Sequence, residues 1–241
     1  TGMVYTSNPF NKELNHKNNA LSHWLSFVMQ GRLGYNFNLT DRLKLTSGVT
    51  LTHFSNGGFK IPNSGINIMT LNVGFSHLLD PQTPTYSFST ENYEVDKRIK
   101  LNLALASGVK GLRNIEGYFP FLNVSAYVDK RIGYKSALNF GVDGFYNLAD
   151  KQEVEHTPLE IDRKPDFKKV GLVAGHELFV GKISLMTQLG AYVYNPFKST
   201  IPVYQRYGIK YYLKESYFAS LILKTHGGRA DIIEWGIGVR M

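Results

Sequence analysis

A histidine and a serine stand two positions apart in this chain of 241 residues, at His53 and Ser55. Side chains at i and i+2 of a β-strand project from the same face. Asn67 belongs to the next segment, and an antiparallel hairpin would bring it close to both. These residue types fit a nucleophilic mechanism in which Ser55 attacks, His53 removes its proton and Asn67 orients the imidazole.

The residues that follow the serine can supply hydrogen-bond donors. Asn56 is followed by Gly57 and Gly58, and glycine lets backbone N–H groups turn toward one point. Such groups stabilise a developing oxyanion, so we predict an oxyanion or substrate-binding site at these three residues. The alternative is structural: His53 and Ser55 would be interfacial polar residues, and Pro62 to Gly65 would be ordinary turn chemistry.

The pattern around these residues predicts β-strands. Leu43, Leu45, Val49 and Leu51 alternate with polar residues, and the same period of two recurs from Asn67 to Ser76. His53, Ser55 and Asn67 therefore fall on the apolar face. About eleven such segments and a partial one at the N-terminus follow this pattern. A strand is predicted from Leu21, with a local helix as the alternative, and residues 149–166 are predicted to be a charged loop.

The composition favours a membrane barrel. No run approaches the roughly 18 apolar residues of a spanning helix, and 23 Gly, 15 Tyr and 15 Phe are typical of all-β proteins. Aromatic residues gather near strand ends, as interfacial girdles require. A soluble sandwich also alternates but buries its apolar face. We predict an all-β, antiparallel transmembrane β-barrel of about 12 strands, one domain over residues 1–241, in a Gram-negative outer membrane. Some natural N-terminal sequence is expected to be missing.

Charge and cysteine content limit the partners. The chain has no cysteine, which excludes disulfides, thiolate metal sites and a cysteine nucleophile. A net charge of +8 predicts an anionic partner. Since no nucleic-acid motif is present, we expect a phosphorylated lipid rather than nucleic acid. No metal and no cofactor are predicted, and protein partners are left open.

The segment from His53 to Asn67 resembles the signature of the lipid A 3-O-deacylase (PagL) family, a His-x-Ser-Asn motif followed by a Pro-Asn-x-Gly loop and a further strand. The match covers about fifteen residues, with general barrel character over the rest. The resemblance implies an outer-membrane carboxylic ester hydrolase that releases an acyl chain from lipid A, the lipid anchor of lipopolysaccharide, without a metal. It makes Ser55 the nucleophile, His53 the base and Asn56 part of the oxyanion site. Separately, we predict that the loop from Asn56 to Ile66 lies at the outer-leaflet end of the barrel.

One departure from the family pattern matters. The family has an acidic residue on the strand after the loop, where this chain has Asn67. An amide orients a histidine but does not stabilise an imidazolium by charge. Glu177 is either a substitute acid or a structural charge on the lumenal face. Two other functions stay open, namely an inactive barrel that binds lipid or assists assembly, and a pore or transport protein.

Overall fold

The computed structural model describes residues 2–79, 95–112, 115–157, 164–214 and 216–241. The described residues fall into two compact units, one within Thr1–Asn56 and Pro62–Asn92 and the other within Gly57–Ile61 and Tyr93–Met241. Twelve strands lie in the described part of the chain, which matches the predicted number of strands. They are β1 (Gly2–Tyr5), β2 (Leu25–Asn38), β3 (Leu43–Ser55), β4 (Ile66–His77), β5 (Ile99–Gly111), β6 (Tyr118–Arg131), β7 (Ser136–Asn147), β8 (Lys169–Val180), β9 (Ile183–Tyr194), β10 (Val203–Lys214), β11 (Tyr217–His226) and β12 (Arg229–Arg240).

The first unit is a four-stranded antiparallel sheet in the order β1-β2-β3-β4. A short turn at residues 39–42 joins β2 to β3, whereas the connections at residues 6–24 and 56–65 both lie at the other end of the sheet. Strand β2 begins at Leu25 rather than at the predicted Leu21, and the alternative of a helix there is wrong.

The second unit is a closed antiparallel barrel of eight strands, β5 to β12. Strand β12 pairs with β5 from Trp235 opposite Ser107 to Arg240 opposite Asn102, which closes the cylinder. The prediction of one closed barrel of about twelve strands is therefore wrong. Strand β5 also pairs with β6 on its other side, so both of its edges are occupied and β4 cannot continue this sheet.

The barrel turns its apolar side chains outward. Leu101, Leu103 and Leu105 of β5 are exposed, whereas Asn102 between them is fully buried. Strand β7 shows the same alternation, since Phe140 is exposed and Asp143 is buried. An apolar exterior around a polar interior is the arrangement of membrane barrels and the reverse of a soluble sandwich, as the sequence predicted.

Side chains fill the interior of the barrel. Arg206 pairs with Asp143 and Glu234, and Lys210 pairs with Glu177 at 3.0 Å. Aromatic rings lie on both sides of these ion pairs, namely Phe145, Tyr192 and Tyr204 toward one end and Phe179, Tyr212 and Phe218 toward the other. Eight strands enclose a lumen just wide enough for such packing. This interior argues against an open pore.

The two ends of the barrel carry different connections. At the short-turn end, short connections link β6 to β7, β8 to β9 and β10 to β11. The other end is the long-loop end, where longer connections leave β5, β7 and β9, together with the tight Gly227-Gly228 turn between β11 and β12. The helix α1 (Leu148–His156) covers the first part of residues 149–166, so the prediction of a charged loop is wrong there. Among the described residues no helix is long and apolar enough to cross a membrane, a finding that concerns helices only.

Candidate active site

The register of the β3–β4 hairpin pairs His53 directly with Asn67. His53 Nδ1 lies 2.7 Å from Asn67 Oδ1. Because an amide oxygen only accepts hydrogen bonds, this contact assigns the imidazole proton to Nδ1. The second nitrogen, Nε2, then carries the lone pair that a general base needs.

Ser55 is the last residue of β3 and is buried, at 7% exposure. It lies two residues from His53 on the same face, a spacing of about 6.7 Å along the strand. The neighbouring pair on that face, Leu51 and Met69, is 60% and 70% exposed. The serine, the histidine and the amide thus form the polar end of an exposed apolar stripe, as the strand alternation predicted.

Asn56 anchors the loop that follows the serine. It is fully buried, its backbone N–H donates to Asn63 Oδ1 at 3.0 Å, and its side-chain amide donates to Ser22 Oγ at 3.1 Å. The N–H that we predicted for an oxyanion is therefore engaged within the loop in this structure. Neither Asn63 nor Ser22 was predicted as a site residue. Asn63 was visible only as part of a turn, and Ser22 lies 34 positions away with no local signal.

Gly65 packs directly against the His53 ring. Its φ is +71°, and a Cβ at this position would lie only 2.9 Å from His53 Cε1. A glycine is required here both by the left-handed backbone and by the ring above it. Backbone N–H groups of Ser64 and Gly65 donate to the carbonyl oxygens of Asn19 and Ala20, each at 3.1 Å, which ties the loop to the segment before β2.

Gly57 and Gly58 belong to the second unit, where they approach β12. Both have positive φ, +68° and +85°. A Cβ on Gly57 would lie 2.2 Å from Ile233 Cδ1, and one on Gly58 would lie 2.5 Å from the Asp231 carbonyl oxygen. Packing therefore explains why both positions are glycine, because a side chain at either one would overlap β12. Their role in an oxyanion site stays a prediction.

Glu177 lies in the barrel lumen. It is fully buried, accepts from Lys210 Nζ at 3.0 Å and from the Tyr212 hydroxyl at 2.8 Å, and also binds Ser184. The interpretation of Glu177 as a lumenal structural charge is confirmed. Its carboxylate is committed to the Lys210 ion pair, so we do not assign it the role of a substitute acid.

The second unit is a β-barrel of the membrane type. The first unit is a sheet with an exposed apolar face that ends in a serine, a histidine and an amide. Together these features indicate a membrane protein with a hydrolase-like site. The chain belongs to the acyloxyacyl hydrolase family, because residues 99–241 match the family model "Acyloxyacyl hydrolase, C-terminal domain". Residues 1–76 match the model "Lipid A 3-O-deacylase (PagL)". The first match covers the barrel and the second covers the four-stranded sheet through β4. No curated protein sequence matches the chain.

Membership confirms the predicted family and the enzyme class. Both family models describe acyl-ester hydrolases, so the chain is an ester hydrolase of the lipid A deacylase kind. The family also implies lipid A as the substrate class. The deacylase match contains His53, Ser55, Asn56 and Asn67, so these residues lie within the part of the chain that carries the deacylase resemblance.

Proposed function

We propose that this chain hydrolyses an ester-linked acyl chain of lipid A in the outer membrane, with Ser55 as nucleophile, His53 as base and Asn67 as the residue that orients the base. The observation that carries the proposal is the 2.7 Å contact between His53 Nδ1 and Asn67 Oδ1. It leaves Nε2 as the proton acceptor on the strand face that also bears Ser55.

The reaction follows from these atoms. Ser55 Oγ attacks the acyl carbonyl carbon while its proton passes to His53 Nε2, and negative charge develops on the carbonyl oxygen. The imidazolium then gives the proton to the departing sugar oxygen, which leaves an acyl-serine. Water attacks this ester, again with His53 as base, and releases the fatty acid. Asn67 accepts from Nδ1–H throughout and keeps the ring in one tautomer.

The apolar stripe supports attack at a lipid surface. Leu51, Met69 and Leu71 expose large apolar side chains on the sheet face that ends at His53 and Ser55. Such a face is favourable against acyl chains and unfavourable in water. Ser55 lies at the sheet end that carries the connections at residues 6–24 and 56–65, opposite the turn at residues 39–42.

The test is fatty-acid release from purified lipid A, followed by mass spectrometry. We expect Ser55→Ala to lower the rate by about 10³-fold or more, because the covalent step is lost. Ser136→Ala is the matched control, since Ser136 Oγ also contacts a histidine, His176 Nε2, on the outer face of the barrel. We expect Ser136→Ala to keep the wild-type rate.

Each other result has a definite meaning. Loss of release in Ser136→Ala but not in Ser55→Ala would move the chemistry to the barrel. No release from the wild type in any detergent would favour the second function, in which the fold binds lipid or assists assembly and the missing acid has removed catalysis.

A further inference from the structure

A cavity of about 800 Å³ opens at the short-turn end of the barrel. Its wall comes from strand ends and turns at residues 131, 134, 181–182, 213–214 and 216, and from the segment that enters β5. Five lining residues are basic and one is acidic: Lys100, Arg131, Lys182, Lys214 and Arg240, against Asp96. The volume lies within the range of small-molecule binding sites.

Part of this charge is already balanced. Asp96 pairs with Arg98 at 2.9 Å and with Lys100 at 3.2 Å, and Asp129 pairs with Arg240 at 2.7 Å. The Arg98 guanidinium holds the pKa of Asp96 well below its usual range, so this carboxyl is ionised. Its negative charge balances the neighbouring Arg98 and Lys100.

Three positive charges are left over. In the described part of the chain, Arg131, Lys182 and Lys214 form no ion pair with a carboxylate. Lys182 and Lys214 are exposed, and both line the same opening, Lys182 from the β8–β9 turn and Lys214 from the end of β10. A cavity with such an excess of cations attracts anions and concentrates them.

Aromatic rings form the floor and hold the arginine. The Arg131 guanidinium carbon lies 3.3 Å from the centre of the Phe179 ring, and Nη1 donates to the Tyr134 carbonyl oxygen at 2.9 Å. Tyr212 directs its hydroxyl away to Glu177 and Lys210, so its ring faces the cavity. The stack fixes the plane of a guanidinium whose remaining N–H groups suit the paired oxygens of a phosphate.

We propose that this cavity binds a phosphate-bearing ligand, either a soluble phosphate compound or the headgroup of a phospholipid. Arg131 supplies a planar fork of donors, and Lys182 and Lys214 supply two mobile positive charges. The site uses none of the residues assigned to ester hydrolysis, so it is a second ligand site beyond the proposed reaction.

The experiment is calorimetric titration of the whole chain in a nonionic detergent, with inorganic pyrophosphate in one arm and dihexanoyl phosphatidylglycerol in the other. Binding of pyrophosphate alone assigns a soluble ligand, and binding of the lipid alone assigns a headgroup. Binding of both assigns the shared phosphate chemistry. Binding of neither overturns the proposal.

Two double variants test the location. Lys182→Gln/Lys214→Gln should weaken binding by about tenfold and reduce its salt dependence, because two charge-assisted contacts are lost. Lys130→Gln/Lys135→Gln is the matched control, since it removes the same charge at the same barrel end from residues outside the cavity lining. Equal weakening in both double variants, or in neither, would overturn the assignment. Fatty-acid release should be unchanged in both.

Discussion

Asn67 stands where the resemblance to the deacylase signature predicts an acidic residue, and the structure shows what the amide retains. Its oxygen accepts from the Nδ1 side of His53 at 2.7 Å, so the ring is oriented as a carboxylate would orient it. What the amide lacks is the negative charge that stabilises the imidazolium formed during attack. Substitutions at position 67 can therefore separate the orientation of the His53 ring from the charge that stabilises its imidazolium.

Asn67→Asp should raise the rate of fatty-acid release by about tenfold or more, because a carboxylate adds that charge without altering the geometry. Asn67→Ala should lower the rate by roughly 10- to 100-fold, because Nδ1–H loses its acceptor. Release kinetics from lipid A, measured with identical detergent and substrate, check both changes.

Asn72→Asp is the control for added charge on β4. Asn72 lies on the opposite face of the strand, where its amide donates to Thr50 Oγ1 at 2.7 Å. We expect no gain in rate there. If Asn67→Asp and Asn72→Asp behaved alike, position 67 would not act through the imidazole.

Gly65 offers a second test of the histidine position. Gly65→Ala adds a Cβ 2.9 Å from both His53 Cε1 and the Phe54 carbonyl oxygen, at a residue with φ +71°, so the end of the hairpin that holds the ring must shift. A displacement near 1 Å costs about 10²-fold in rate, and we expect a loss of that order in fatty-acid release. Gly74→Ala on β4 should have little effect, because a Cβ there meets nothing within 4 Å. A wild-type rate in Gly65→Ala would show that the ring position does not limit catalysis.

The predicted contacts at the site were those that follow from strand geometry. The period of two placed His53 and Ser55 on one face, and the hairpin placed Asn67 near them. The contacts of Asn56 with Asn63 and Ser22 were not predictable, because a side chain that fixes a loop leaves no period in the sequence. The same holds for Gly57 and Gly58, whose approach to Ile233 and Asp231 joins residues over 170 positions apart.

At the scale of elements, helix α1 is the feature that the sequence pattern did not reveal. Its inward residues are Ala149, Asp150 and Val154, a set with too little apolar character to mark a helix face. Asp150 is buried because Lys169 pairs with it at 2.8 Å. The one local signal was Asn147, whose side chain accepts from the Ala149 N–H at 2.9 Å as an N-cap.

Glu153 makes the stability of this helix depend on pH. Burial raises the pKa of its carboxyl above the ordinary value, despite the opposing attraction of Lys110. The stability gained from the protonated form is complete below the unfolded pKa of about 4.3 and is lost as the pH rises through the raised folded value. Glu153→Gln should therefore raise the thermal midpoint at pH 8 and not at pH 4. The gain in the free energy of unfolding should be no more than about 1 kcal/mol, because solvent screens this half-buried group.

Glu155→Gln is the matched control for that comparison. Glu155 is exposed on the same helix and lies 3.9 Å from Lys151. It should show no gain at pH 8 by the same thermal measurement. A Glu153→Gln midpoint below the wild type at pH 8 would mean that the carboxylate is favourable where it lies.

At the scale of the whole molecule, the sequence predicted the strands but not which strands close into a barrel. Strand β5 points Leu101 and Leu103 outward and Asn102 inward. Any strand of a membrane barrel shares this pattern. Closure depends on β12 meeting β5, a pairing that joins Trp235 to Ser107 across more than 120 positions. Alternation defines the two faces of a strand and contains no information about its neighbour, so twelve strands were predicted and their division into eight and four was not.

Closure also builds the lumenal ion network. Arg206 reaches Asp143 on β7 and Glu234 on β12, and its Nη1 also lies within hydrogen-bond distance of Ser125 and Gln188. Arg206→Met would leave two buried carboxylates without their cation. We expect a loss of about 3–5 kcal/mol in the free energy of unfolding, measured by urea denaturation in micelles with circular dichroism.

The neutral triple variant Arg206→Met/Asp143→Asn/Glu234→Gln separates charge from packing. It should recover part of the loss, because no unpaired charge then remains inside the barrel. Arg229→Met, at an exposed arginine beside the β11–β12 turn, should change stability by no more than about 0.5 kcal/mol. If Arg206→Met unfolded at the wild-type urea concentration, the Arg206 ion pairs would add nothing to the stability of the barrel. If the triple variant were no more stable than Arg206→Met, the loss would come from packing around the arginine stem rather than from the carboxylates.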